Sequence, residues 1–258
     1  MGVINDYIHY RIKAKNRHGI HSPFVYDLVE QYLYKELSKQ LFEPIEKIRI
    51  ELLQNKSQLN FEDLGAGSKK VKTNKPTVKS LAKNSLKPKK YAKLIAQIGQ
   101  YISAKTIIEL GTSLGTTSLY ISRLNPQATV YTIEGSPEIA RIAQLQFDKL
   151  QATNIELRIG NFNQELPKLL GECSPPDLLF IDGNHTYEAT LRYFEMALEY
   201  SHSQTLFIFD DINWSDGMKQ AWNDLKNHPR VSISMDFFYL GVVSINPDFS
   251  KEEFVIQY

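Results

Sequence analysis

Three features of the chain predict a doubly wound α/β fold built on a mostly parallel sheet. From about residue 91 onward, short β-branched runs alternate with helical patterns. The segments between those runs are long enough for helical crossovers, which parallel strands require. Near the end, two strand-like runs follow one another too closely for a crossover and suit an antiparallel hairpin instead.

The elements are expected in the following order. Residues 1–58 read as helical, because Phe24, Val25, Leu28, Val29, Tyr32 and Leu33 recur at the spacing of one buried helix face. Ser22 before Pro23 makes a helix start, a hydroxyl cap followed by proline in the first turn. Residues 59–90 differ: glycines and the lysines 69, 70, 72, 75, 79, 83, 87, 89 and 90 dominate, with few apolar anchors. That texture reads first as a solvated, mobile loop; the alternative is a loop that orders over an anionic substrate or cofactor. Tyr91 to Tyr101 reads as a helix. Strands are expected at Thr106–Leu110, Ala128–Ile133, Ile155–Ile159, Leu178–Ile181 and Thr205–Phe209, then at Val231–Phe237 and Gly241–Ile245 for the hairpin. Two regions result: a helical extension with its lysine-rich loop at 1–90, read as a substrate cap, and a ligand-binding domain at 91–258.

Bulk properties narrow the function. Of 258 residues, 42% are hydrophobic and 23% charged, and the formal net charge of +1 favours no polyanionic partner. A nucleic-acid substrate is therefore disfavoured. Cys173 is the single cysteine, so no internal disulfide forms and a reducing, cytoplasmic setting is expected. No secretory signal and no membrane-spanning apolar stretch is read in the chain. The Phe237–Leu240 stretch is read as core rather than interface, with a homodimer left open.

In such a sheet, ligands bind beyond the carboxyl ends of the strands. The first strand ends Glu109-Leu-Gly111-Thr112-Ser113-Leu-Gly115, where the glycines permit a tight turn and close approach of the backbone. A helix from about Thr116 presents its free N–H groups there. The second strand ends at Glu134, placed to accept hydrogen bonds from ribose hydroxyls. The third is followed by Gly160, Asn161, Phe162 and Asn163, suited to an adenine. The fourth ends Asp182-Gly-Asn184-His185-Thr-Tyr187, and the fifth Asp210-Asp211-Ile-Asn213-Trp214. The nicotinamide fingerprint Gly-x-Gly-x-x-Gly is absent from the first turn. Glu62-Asp-Leu-Gly65-Ala-Gly67-Ser68 is a second glycine turn, read as a decoy because no strand precedes it. Arg17–Phe24 is dense in histidine; surface or capping histidines and a lid over the crevice both stay open.

Taken together, residues 90–258 resemble the class I S-adenosylmethionine (SAM)-dependent methyltransferases. The resemblance rests on Glu-x-Gly-x-x-x-Gly, the acid ending strand two, and the Ile-Asp-Gly-Asn-His-Thr-Tyr block in that order. It implies a Rossmann-like seven-stranded sheet with an antiparallel final strand, and SAM as methyl donor. Glu109, Gly111 and Ser113 would surround its methionine end, with Thr112 and Gly115 in the same turn. Glu134 would hold the ribose, and Gly160 to Asn163 the adenine; Asp182 closes the cofactor set. The pattern is nearest to the catechol-type, metal-dependent O-methyltransferases, which implies Mg²⁺ or a similar divalent cation on Asp182, Asp210 and Asp211. Those relatives carry Asn where this chain has Asp211, and lysine where it has His185. His185 and Asp182 are accordingly the candidate catalytic residues, with His185 accepting a proton from the hydroxyl of a small-molecule acceptor. The alternatives are an RNA or protein methyltransferase, or a SAM-binding protein without catalysis.

Overall fold

The computed structural model describes residues 3–15, 19–59 and 76–258. The extension opens with α1 (Val3–Lys13), α2 (Pro23–Leu28), a π-helical turn at Val29–Leu33, α3 (Lys39–Gln54) and α4 (Val78–Ser85). Ser22 caps α2 by accepting the Val25 N–H, with Pro23 in the first turn. After α5 (Lys89–Tyr101) the alternation begins: β1 (Thr106–Leu110), α6 (Thr116–Leu124), β2 (Thr129–Glu134), α7 (Pro137–Lys149), β3 (Ile155–Ile159), α8 (Phe162–Glu172). It continues through β4 (Leu178–Ile181), α9 (Tyr187–Leu198), β5 (Leu206–Asp210) and α10 (Asp216–Asn227), and closes with β6 (Ile233–Asp236), β7 (Leu240–Ser244) and β8 (Glu252–Val255).

These strands form one sheet in the order β3-β2-β1-β4-β5-β7-β6-β8. β1 to β5 run parallel, while β7 pairs antiparallel with both β5 and β6. The expected hairpin is therefore present, inserted so that β7 lies inside and β6 outside. An eighth strand extends the expected seven: β8 pairs parallel with β6.

Strand alternation divides the apolar residues between two faces. Ile107, Leu178, Phe180, Leu206 and Ile208 face α5, α6 and the helices of the extension. Ile108, Leu110, Leu179, Ile181, Phe207 and Phe209 face α8, α9 and α10. Both faces of β1, β4 and β5 are buried, which is why those strands read as continuous apolar runs. Phe237, Phe238 and Leu240 are core, and only Tyr239 of that stretch is exposed.

The reading of 59–90 as a loop needs correction over 76–90. Thr77 caps α4 by accepting the Ser80 N–H, and Val78 and Ala82 are buried one turn apart. Leu59 and Val78 join the core shared with α5, so the last part of the lysine series is folded structure. Glu62–Ser68 and lysines 69, 70, 72 and 75 lie outside the described residues, as do Arg17 and His18. The extension also meets the far end of the chain: Tyr10 Oη donates to the Ile256 carbonyl at 2.5 Å, and Lys15 bridges to Ile256. Among the described residues, no helix is long and apolar enough to cross a membrane.

Candidate functional site

Along the carboxyl ends of β1, β2, β3, β4 and β5 lie the residues singled out in the sequence. The β1 turn is fixed by backbone geometry. Gly111 has φ +102°, and a Cβ there would lie 2.0 Å from the Asp182 carbonyl oxygen. Only glycine lets the β1 turn sit this close to the end of β4. Gly115, at φ +77°, precedes α6 as its N-cap. Between them Ser113 also has positive φ; its N–H donates to Glu134 Oε2 at 2.8 Å, and its hydroxyl bonds Ser85 Oγ at 2.9 Å. The end of α4 is thereby tied to the glycine turn.

Glu109 is fully buried in β1. Its Oε2 accepts from Ser118, and from Thr132 at 2.7 Å, while its Oε1 has no hydrogen-bond partner among the described residues. Burial pushes the carboxyl up to about 7, against the lowering effect of those two hydrogen bonds. Glu134 accepts the N–H groups of Ser113 and Ser136, so it holds the β1 and β2 turns together. Asn161 caps α8 by accepting the Asn163 N–H, and Asn163 Oδ1 accepts from Arg192 at 3.0 Å. Phe162, between the two amides, packs edge-on against Tyr193.

At the ends of β4 and β5, the structure groups Asp182, His185 and Asp210. One potential ligand atom from each lies within 4.8 Å of the others. Asp211, named with them from the sequence, is not part of that group; its φ of +53° turns the backbone at the strand end. His185 Nε2 is 3.7 Å from Asp182 Oδ1, with the ring 28% exposed. Thr186 caps α9 by accepting the Ala189 N–H.

A residue that sequence reasoning passed over completes the cluster. Lys87 Nζ lies 2.6 Å from Asp210 Oδ2 and 3.1 Å from Asp182 Oδ2, with 8% of its side chain exposed. It also lies 5.5 Å from the centre of the Phe180 ring. Burial works to lower its pKa, yet the two carboxylates hold it above the usual lysine range. Burial and the Asp210 charge push Asp182 up. Asp210 stays low in spite of burial because the ammonium is beside it. Burial, and then Asp210, raise Asp211. The one local clue to Lys87 was its place between Leu86 and Pro88, immediately before an apolar helix.

Aromatic side chains rim the same end. Asn213 Nδ2 donates to the Phe238 carbonyl at 2.7 Å, joining the loop after β5 to the β6–β7 turn. Phe238 packs against Tyr7 and Tyr10 of α1, and Tyr239 against Tyr91 of α5. Phe24, from the histidine-rich block, packs instead on Tyr101 and Phe249 at the opposite end of the sheet.

Residues 108–212 match the family described as a methyltransferase domain. A catechol O-methyltransferase from Niastella koreensis is 30% identical over 182 residues, covering 68% of this chain and 76% of that protein. An O-methyltransferase from Bacillus cereus, solved in complex with SAH, aligns with a TM-score of 0.56 at 20% identity, over 84% of this chain and 94% of that one. The SAH-bound Podospora anserina methyltransferase PaMTH1 aligns at 0.58 and 15% identity, over 87% and 97%. The structural likenesses speak for the fold, and the Niastella relative for the family. The chain thus belongs to the class I SAM-dependent methyltransferases and is an O-methyltransferase of that family.

Proposed function

We propose that the strand-end row from Glu109 to Asn163 holds SAM, and that methyl transfer to a small-molecule hydroxyl takes place beside Asp182 and His185. One observation carries the cofactor assignment: Glu109 Oε1 is a buried carboxylate oxygen with no partner among the described residues. Leaving such an atom unsatisfied is costly, and the cationic amino group of a methionine moiety would satisfy it. Thr112, Ser113 and Gly115 shape the turn over that group. Glu134 takes the ribose side and Gly160 to Asn163 the adenine side, with Asp182 closing the crevice.

SAM, when bound, supplies an electrophilic methyl group on a sulfonium sulfur. His185 accepts the proton of the acceptor hydroxyl as the oxygen becomes nucleophilic. Asp182, 3.7 Å from the imidazole, supports the imidazolium that results. The chain otherwise contributes position and orientation, which is where most of such an acceleration arises. The 1–90 extension is assigned the role of acceptor cap, supported by Tyr7 and Tyr10 packing against Phe238.

Asp182, Asp210 and Asp211 are the residues that the resemblance gives to a divalent cation. As arranged here they do not suit one, because the Lys87 ammonium already bridges two of them.

The test combines calorimetry with turnover on hydroxylated aromatic and aliphatic acceptors. His185→Ala is expected to bind SAM as the parent does and to lose about 10²- to 10⁴-fold in turnover, the range of a general base. Unchanged turnover would remove His185 from the mechanism, and absence of SAM binding by the parent protein would sink the cofactor assignment.

A further inference from the structure

We propose that the ammonium of Lys87 is the resident cation of this site, occupying the place between Asp182 and Asp210 that a divalent ion would otherwise take. The inference rests on reading the ends of β4 and β5 as the reaction site.

Distance is the first argument. Lys87 Nζ stands 2.6 Å from Asp210 Oδ2 and 3.1 Å from Asp182 Oδ2. A Mg²⁺ ion needs carboxylate oxygens at roughly 2.0–2.1 Å, with further ligands completing an octahedron. The ion and the ammonium would compete for the same oxygens at contact distance and repel each other there. One of them has to leave, and the lysine is attached to the chain.

The segment carrying Lys87 is also held. Leu86 is the C-cap of α4, and Pro88 the N-cap of α5, so a single residue separates two helix ends. A residue before proline is confined to extended backbone. The Ser85–Ser113 hydroxyl bond ties the same segment to the glycine turn. The ammonium also lies 5.5 Å from the centre of the Phe180 ring of β4, within cation–π distance. Withdrawing the ammonium would strand two buried carboxylates, which is strongly unfavourable.

Chemistry follows from valence. A lysine ammonium has three N–H donors. Two serve the carboxylates, leaving one for an acceptor oxygen whose negative charge grows as its proton departs. The local charge also differs from that of a metal site. One positive charge stands there beside Asp182 and Asp210, where a divalent ion would bring two. Lys87 is thus assigned to positioning and charge stabilisation.

Mn²⁺ titration followed by electron paramagnetic resonance tests this without cofactor, acceptor or turnover. The parent protein is expected to leave the free-Mn²⁺ signal undiminished. Lys87→Ala, which vacates the position while keeping both carboxylates, is expected to bind one Mn²⁺ at least roughly tenfold more tightly than the parent, and to gain thermal stability from it. If Lys87→Ala does not fold, Lys87→Gln carries the same comparison, since it removes the charge and keeps polar contact. Stoichiometric Mn²⁺ on the parent that Asp210→Asn abolishes would overturn the proposal, and so would a folded Lys87 variant that acquires no Mn²⁺. Loss of SAM binding would instead count against the methyl-transfer reading, leaving the Mn²⁺ result to be judged on its own.

Discussion

Glu109 is predicted to make the ligand-free protein lose stability as pH rises from about 4.5 to 7. The carboxyl ionises near its ordinary 4.5 in the unfolded chain but only at about 7 when buried in β1. Across that window the folded state holds a proton that the unfolded state has released, so the unfolded state gains from each rise in pH. The contribution is therefore fully present below 4.5 and is lost progressively up to 7. A difference of 2.5 between 7 and 4.5 corresponds to about 3 kcal/mol at 1.36 kcal/mol per unit. Glu109→Gln cannot titrate and retains an oxygen for Ser118 and Thr132. Urea unfolding of both proteins at a series of pH values isolates the effect, because groups common to both cancel. The variant is expected to gain on the parent by about 3 kcal/mol between pH 4.5 and 7. Below pH 4.5 the difference should level off. A difference that is flat across the window, or that falls with pH, would refute the assignment of burial as the dominant influence on Glu109.

Two further outcomes follow from single contacts. Gly111→Ala would place a Cβ 2.0 Å from the Asp182 carbonyl at a φ of +102°, so the two strand ends must separate; thermal unfolding should show a loss above about 3 kcal/mol, and a loss below 1 would mean that the turn yields. Tyr10→Phe deletes the hydroxyl that donates to the Ile256 carbonyl. Denaturant unfolding should report a cost of about 1 kcal/mol, with SAM affinity unaltered.

Strand ends were legible because β1, β4 and β5 are buried on both faces and stop at glycine or aspartate. The residues at and just beyond each stop are thereby set on one edge of the sheet, so Glu109, Asp182, His185 and Asp210 could be named from the sequence, with Glu134 at the end of β2. What lay hidden had weak local signals. α4 keeps its apolar positions at Val78, Leu81 and Ala82 among lysines, serines and an asparagine, so composition masked its periodicity. β8 has one buried residue, Phe254, among charged neighbours, and it exists because β6 offers a free edge to pair with. Lys87 looked like its neighbours in the lysine series. Only the fold, by bringing β4 and β5 under the α4–α5 junction, distinguishes it from them.

The eighth strand has a bearing on how copies of the chain can associate. A sheet ends where its outermost strands expose hydrogen-bonding groups, and such edges invite another chain. Here one edge is β3, with Glu156 and Arg158, and the other is β8, where Glu252 and Glu253 stand and Lys15 of the extension already bonds the Val255 carbonyl and the Gln257 N–H. Charges along both borders discourage a continuous sheet across two molecules. Any dimer would therefore be expected to form through helix faces, leaving each eight-stranded sheet closed to its neighbour.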